Sequence, residues 1–257
     1  MKLFTILPAV LCTTVILTGC SGEKSGNEKM AGIIAAAKNG DWQNAEQTAR
    51  ELSDENPGDI APTLFLIIAY EKAGELNKAI DLAVQCVRNN PKDFTAQYLL
   101  GRLYARDSRR EADAFTTLES AFQLRPGDLN TLILLCNLGV KRNEPNTSIY
   151  LQQLVTKTQL DDTELAKAFY LQGLYLYKNG DTSMAFECMD QARNLCSRNN
   201  PELLLQIARF VDNDGNRSDD ARYIYRHFII LYENTPNPDP AKLQEARQRE
   251  QQLLGRR

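Results

Sequence analysis

Two stretches of the sequence share one pattern: "NGDWQNAEQTARELSDENPGD" at residues 39–59 and "AGELNKAIDLAVQCVRNNPKD" at residues 73–93. Each has a glycine turn, then a small residue, and then apolar residues with the 3.6-residue period of an α-helix. The small residues, Ala45 and Ala79, are 34 residues apart, and the same distance separates the prolines that close the two stretches. A fixed period of this length predicts a repeat protein built from helix–turn–helix units.

The pattern can be extended over most of the chain. It recurs at residues 179–202, and the unit at 94–128 has the same small residues with one extra residue in its turn. The unit from about 129 to 160 is degenerate, because Cys136 stands where a small glycine is expected and Ser148 replaces the alanine of the turn. A sixth pair of helices and a final polar helix from about residue 241 to 254 follow.

Close crossing of the two helices in a unit explains the small residues. A large side chain at Gly101 or Gly173 would hold the helix axes beyond the roughly 8–10 Å of close packing. Pro57, Pro91 and Pro126 are expected to end the second helices of their units, because proline cannot continue the hydrogen-bond ladder. No run alternates apolar and polar residues between turn signals, so we expect no β-sheet.

This arrangement resembles the tetratricopeptide repeat, a helix–turn–helix unit of 34 residues. The resemblance implies an all-α fold, a right-handed superhelical solenoid of about six helix pairs, over residues 30–235. It also implies a C-terminal solvating helix within residues 236–257 that covers the last apolar face. Neither helix of a unit can bury its apolar face alone, so stability comes from stacking on neighbours.

The N-terminal residues predict export. Lys2 and the apolar run at residues 3–19 have the features of a secretory signal. The end of this run, Leu17-Thr18-Gly19-Cys20, resembles the lipobox of bacterial lipoproteins. That resemblance implies a signal peptide at residues 1–19, a lipid on Cys20 and a flexible tether at residues 20–29. An ordinary signal or membrane anchor in which Cys20 is incidental is the alternative.

The residue after Cys20 predicts which membrane holds the anchor. Ser21 stands where enterobacterial lipoproteins retained in the inner membrane have aspartate. By that resemblance we expect a bacterial cell-envelope protein, anchored in the outer membrane and facing the periplasm.

Composition excludes several functions. A formal net charge of −3 gives no basic excess for binding nucleic acid. The single histidine, His227, argues against histidine-based metal sites and against Ser-His or Cys-His catalysis. Residues 212–220, "DNDGNRSDD", lack the closing glutamate of an EF-hand, and we interpret them as a solvated turn. We therefore predict no enzyme activity, no cofactor and no metal.

Four cysteines remain after Cys12 and Cys20: Cys86, Cys136, Cys188 and Cys196. They form no C-x-x-C pair, and we interpret them as small buried hydrophobic residues. Export permits disulfides, so the sequence leaves their pairing open.

The family resemblance also suggests a binding groove. In tetratricopeptide proteins the concave face is lined by fixed positions of the first helix in each unit. Those positions here are Glu71, Lys72, Tyr98, Arg102, Arg106, Asn130, Asn137, Lys141, Lys167, Tyr170, Tyr177, Lys178 and Phe210. Aromatic and basic residues outnumber carboxylates in this set, which favours an extended peptide with acidic groups or a free carboxylate. Solvated helix faces without a ligand are the alternative.

One specific version of such a groove is not predicted. Tetratricopeptide domains that bind chaperone C-termini use a two-carboxylate clamp of Lys, Asn, Asn, Lys and Arg. Here Ile133 replaces the first Lys, and Leu171 replaces the second Asn.

Together these observations predict a membrane-anchored scaffold for protein–protein interaction. Its plan resembles the pilotin lipoproteins of type IV pilus secretins, and also barrel-assembly lipoproteins and lipoproteins that scaffold cell-wall hydrolases. A lipoprotein that binds glycan or peptidoglycan is the alternative from another class.

Overall fold

A computed structural model describes residues 21–56, 58–196 and 200–254 of the chain. Cys12, Cys20, Pro57 and the expected signal peptide lie outside these residues. In the described part there is no β-strand, and the α-helices are α1 (Ser21–Lys38), α2 (Trp42–Glu55), α3 (Ala61–Ala73), α4 (Leu76–Asn89), α5 (Phe94–Tyr104), α6 (Glu111–Leu124), α7 (Leu129–Arg142), α8 (Thr147–Val155), α9 (Asp162–Lys178), α10 (Thr182–Leu195), α11 (Pro201–Asp214), α12 (Ser218–Tyr232) and α13 (Pro240–Leu254).

Consecutive helices pair as hairpins. The chain forms two compact units, with α1 to α4 in the first and α5 to α13 in the second. Within them α1 pairs with α2, α3 with α4, and so on to α11 with α12, while α13 packs on α12. The all-α repeat fold, its helix pairs and its C-terminal capping helix are therefore confirmed for the described residues.

The structure differs from the sequence interpretation at the N-terminus. Residues 21–29, for which we predicted a flexible tether, lie inside the 18-residue helix α1. This segment contains no proline or β-branched residue and leads into the alanine-rich end of α1, from which the helix extends despite the low helix propensity of Gly22, Gly26 and Asn27. No described helix combines the length and apolar character needed to cross a membrane.

Short polar residues and prolines set the helix ends. The Asp93 carboxylate accepts from the Ala96 backbone N–H at 2.7 Å at the start of α5, and Asp161 and Glu164 form a capping box at α9. Helices α4 and α6 end before Asn90 and Arg125, whose φ values are −131° and −143°. Both residues precede a proline, which disfavours helical backbone in the residue before it.

The second helix of a hairpin crosses the first at a small residue. The alanines that follow the turn are fully buried, at 0% exposure: Ala45, Ala79, Ala114, Ala185 and Ala221. On the first helices, a Cβ at Gly101 would lie 2.7 Å from Leu118 Cγ, and one at Gly173 would lie 2.8 Å from Met189 Cε. The structure thus gives the physical reason for the repeat pattern.

In the degenerate fourth repeat, helices α7 and α8 cross at residues other than those that the sequence predicted. Thr147, one residue before Ser148, is the buried residue at the start of α8, whereas Ser148 is exposed. Its partner on α7 is Gly139, where a Cβ would lie 2.8 Å from Thr147 Cγ2 and closer still to its Oγ1. Cys136 is buried one helical turn earlier, so α7 retains a close crossing at a shifted position.

The C-terminal helix is joined to α11 by a partly buried ion pair. Asp212, 9% exposed, accepts two hydrogen bonds of 2.8 Å from Nε and Nη2 of Arg249 on α13. It also accepts from the Tyr225 hydroxyl at 3.2 Å, and burial is the main cause that raises the pKa of Tyr225 to about 12. Asp212 is therefore a packing residue in the last turn of α11, and our interpretation of it as part of a solvated turn was wrong.

Gly139→Ala tests the shifted crossing. We expect a loss of about 1–3 kcal/mol in unfolding free energy, because the added methyl group has no room beside Thr147. Urea unfolding would measure it. Gly32→Ala on α1 is the matched control, since no atom lies within 4 Å of its Cβ position. It should be neutral or stabilising by up to about 1 kcal/mol. Equal effects of the two substitutions would contradict a steric crossing at Gly139.

Asp212→Asn tests the attachment of α13. We expect a loss of about 1.5–3 kcal/mol in urea unfolding, since hydrogen bonds to a charged group are among the strong ones. Arg249→Lys should lose less, because it keeps the charge but not the paired geometry. The control is Glu233→Gln, which breaks an exposed pair with Arg247 and should cost less than about 1 kcal/mol. A loss no larger for Asp212→Asn than for this control would refute the assignment.

Candidate functional site

The first helices of the hairpins present the candidate binding surfaces. In the first unit, α1 and α3 are neighbours, and a cleft of about 540 Å³ lies along them. We call this cleft the N-terminal groove. Its lining residues are Ile33, Ile34, Ala37, Lys38, Gly40, Trp42, Phe65, Ile68, Ala69, Lys72 and Ala73.

The walls of the N-terminal groove are apolar. Ile34 is 38% exposed, and Phe65, Ile68 and Ala69 are half-buried on the side of α3 away from its buried residues Leu66 and Ile67. A helix that buries only one stripe normally has polar residues on its other face. The second face of α3 is therefore apolar as well, and it lines the groove.

The end of the N-terminal groove is cationic. Lys38 is the last residue of α1 and Lys72 is the next-to-last residue of α3, and both are exposed. None of the lining residues is an aspartate or a glutamate. Trp42 closes the same region and stacks on Tyr70 with ring centroids 4.8 Å apart.

Sequence reasoning found only one residue of this groove, Lys72. The signal for the rest was the run at residues 64–70, "LFLIIAY", which has no polar residue except the tyrosine hydroxyl. An amphipathic helix with one buried stripe would not need seven such residues in succession.

In the second compact unit, which contains α5 to α13, helix α5 carries a ladder of aromatic rings and arginine side chains. Phe94 and Tyr98 stack with centroids 5.9 Å apart, and the Arg102 guanidinium lies 5.6 Å from the Tyr98 centroid. Arg125 covers Phe94 at 3.9 Å. Tyr98 and Arg102, both predicted groove residues, are thus brought together and half-buried, while Arg106 is exposed at the end of the series.

Two other predicted groove residues, Lys178 and Lys141, contact neighbouring helices. Lys178 Nζ donates to the Val140 carbonyl oxygen at 2.7 Å, and Lys141 forms an ion pair with Glu111. Lysine at this place satisfies a C-terminal carbonyl of α7. These contacts give Lys178 and Lys141 a structural role.

Two predicted aromatic residues pack together. Tyr177 and Phe210 have centroids 5.0 Å apart, and Phe186 lies beside both. The Tyr177 hydroxyl donates to Asp214 at 3.3 Å. This cluster packs against the core around α11 and α12, so it contributes to stability.

The remaining predicted residues have simpler surroundings. Asn130, Asn137 and Lys167 are exposed, and the Asn137 side chain donates to the Ile133 carbonyl oxygen. Tyr170 is half-buried against the same core, and burial raises its pKa. Whether any predicted groove residue contacts a ligand stays a prediction.

The described residues offer no arrangement for metal chemistry. No group of three or more His, Cys, Asp or Glu side chains among them could hold a metal ion. Cys86, Cys136, Cys188 and Cys196 are buried thiols that form no disulfide, and burial raises the pKa of Cys136 and of Cys196 to about 12. A thiol with a raised pKa is a poor nucleophile.

The helix hairpins, their spacing and their small crossing residues define an all-α helical-repeat protein. Residues 36–104 match the family model of the tetratricopeptide repeat. A search of curated proteins finds no match to the sequence.

Solved structures show the same fold. The structure titled "Crystal structure of YrrB: a TPR protein with an unusual peptide-binding site" is 17% identical, with a TM-score of 0.59 over 78% of this chain and 97% of that one. A crystal structure of MamA protein is 16% identical, with a TM-score of 0.54 over 68% of this chain and 93% of that one. At such identities the likeness concerns the fold.

Proposed function

We propose that this protein is a non-enzymatic scaffold that holds a segment of a partner protein on the first helices of its hairpins. The observation that carries the proposal is the N-terminal groove, an open cleft lined by the exposed side chain of Ile34 and the half-buried side chains of Phe65 and Ile68. Contiguous exposed apolar surface of this kind marks sites where another molecule binds. The match to a family of protein-interaction repeats supports the same function.

The surface chemistry of the groove suits a protein ligand and not a sugar. The groove walls offer aliphatic and aromatic side chains, whereas a glycan site needs several polar groups placed around the hydroxyls of the sugar. In the second unit, the ladder of Phe94, Tyr98 and Arg102 adds the residue types that dominate protein interfaces.

We further propose that the scaffold is anchored in a bacterial envelope membrane by lipid on Cys20. The support is in the sequence: an apolar run of signal type ends in Leu17-Thr18-Gly19-Cys20. Attachment through more than one acyl chain would make the anchor stable. The role we propose is assembly of an envelope complex, of the secretin or pilus type, from the periplasmic side of the outer membrane.

Labelling with tritiated palmitate tests the lipid anchor. When the full chain is expressed in a bacterium that processes lipoproteins, we expect it to incorporate label and sediment with membranes. Cys20→Ala should abolish the label and leave a heavier unprocessed chain, because the acylated thiol is absent. Ser21→Ala is the matched control and should keep the label. Label that persists in Cys20→Ala, or a wild-type chain without label, would exclude this anchor.

Photo-crosslinking tests the scaffold function. A benzoylphenylalanine at Ile34 should capture a discrete envelope protein in living cells, because the side chain is exposed inside the groove. The same probe at Gln47, exposed on α2 and outside the groove, is the control and should not capture it. The Ile34 product should disappear when Ile68→Glu is added. If the two sites give the same products, or Ile34 gives none, the proposed function is wrong.

A further inference from the structure

The chemistry of the N-terminal groove indicates what its partner is. The inference rests on the proposed function, since it concerns the ligand of the same surface. Its volume of about 540 Å³ is within the range of about 300–1,000 Å³ typical of binding pockets. The walls come from residues spaced three or four apart on two neighbouring helices: Ile33 and Ala37 on α1, and Phe65, Ile68 and Ala69 on α3.

The first constraint on the ligand is the need to satisfy the hydrogen bonds of its own backbone. An extended peptide exposes N–H and C=O groups that must find partners when water is removed. The walls of the groove offer almost only carbon atoms, and the polar side chains among its lining residues are Lys38, Lys72 and the Trp42 indole N–H. An α-helix satisfies its own backbone groups and can bury an apolar face without help from the walls.

The second constraint is shape. Side chains three and four residues apart form ridges on a helix, and a third helix packs its own ridges between them. Ile34 and Ala37 on α1 and Phe65 and Ile68 on α3 form such rows on either side of the cleft. The cleft is open to solvent on the side away from the core, with Ile34 38% exposed. A helix can cover that open side, whereas a single acyl chain would leave part of it exposed to water.

The third constraint is charge. Lys38 and Lys72 lie at the C-terminal ends of α1 and α3, and no carboxylate lines the groove. The nearest acidic residues in sequence are Asp41 and Glu71, neither of which lines the groove, and the Asp41 carboxylate accepts from the Asn44 backbone N–H. A ligand therefore meets positive charge at one end of an otherwise apolar cleft, where carboxylates bind more favourably than cations.

We propose that the N-terminal groove binds an amphipathic helix of a partner protein, whose apolar face packs on Ile34, Phe65 and Ile68 and whose acidic end pairs with Lys38 and Lys72. This differs from the extended acidic peptide predicted from the family pattern. It also places the apolar contacts in the first unit, away from most of the residues that the sequence singled out.

Fluorescence anisotropy with synthetic peptides tests the inference on the purified full chain. The probe is a labelled 16-residue helical peptide with Leu at positions 4, 8, 11 and 15 and three Glu residues in one terminal turn, compared with the same peptide carrying Gln. Versions with the charged turn at either end cover both directions of binding. We expect one Glu version to bind roughly three- to tenfold more tightly than its Gln version, as two exposed ion pairs allow.

Variants separate the two contacts. The double substitution Lys38→Gln and Lys72→Gln should bring the Glu-to-Gln affinity ratio close to one, while Lys92→Gln, exposed and outside the groove, should leave it unchanged. Ile34→Gln should weaken both peptides at least roughly fivefold, since burial of an aliphatic side chain is lost. Ile149→Gln, at a 55% exposed isoleucine on α8, is its control. Thermal melts would show that each variant keeps its fold.

The outcomes distinguish this inference from the proposed function. Equal affinity for the Glu and Gln peptides, or a ratio unchanged by the lysine substitutions, overturns the inference. So does binding of laurate that depends on Ile34 when neither peptide binds, which would identify an acyl ligand. If crosslinking from Ile34 still captures a partner protein in these cases, the scaffold function stands with a different ligand chemistry. Loss of that crosslink would contradict both the helix-binding inference and the scaffold function.

Discussion

The close crossing of two helices within each hairpin is the constraint on which the structure depends. Five alanines at the starts of second helices are completely buried, and Gly101, Gly139 and Gly173 lie where an added Cβ would strike the opposite helix. Helix axes can approach closely only where the contact residues are small. Once this distance is set, the larger apolar residues around the crossings pack into cores shared by neighbouring hairpins, with two such clusters in the second compact unit.

A second interaction joins one first helix to the next. Lys178 reaches the end of α7, Tyr177 reaches Asp214 at the end of α11, and Arg249 reaches Asp212. The paired residues are 37 or 38 positions apart, close to one repeat period. Such contacts occupy polar residues that a pattern of groove positions would assign to a ligand. They also explain why α13, a polar helix with few buried side chains, remains attached to the last hairpin.

Apolar side chains on the first helices fall into two groups, those that pack in the core and those that line the groove. The Tyr177 and Phe210 rings pack together, whereas Phe65 and Ile68 are half-buried and line the N-terminal groove. This apolar area on α1 and α3 is the basis of the binding role that we propose for the first helices. The same groove ends at two exposed lysines, Lys38 and Lys72.

The sequence by itself determined the helical repeat, because turn glycines, buried alanines and prolines act locally and recur at a fixed distance. It also predicted where α4 and α6 end, because a residue before proline avoids helical backbone. Only the tertiary structure decided which side chains face a neighbour and which face solvent. The shift to Gly139 and Thr147, the burial of Asp212 beside Arg249, and the apolar groove between α1 and α3 all depend on residues far apart in sequence. Their distances follow from how helices pack, and the pattern within one repeat does not contain that information.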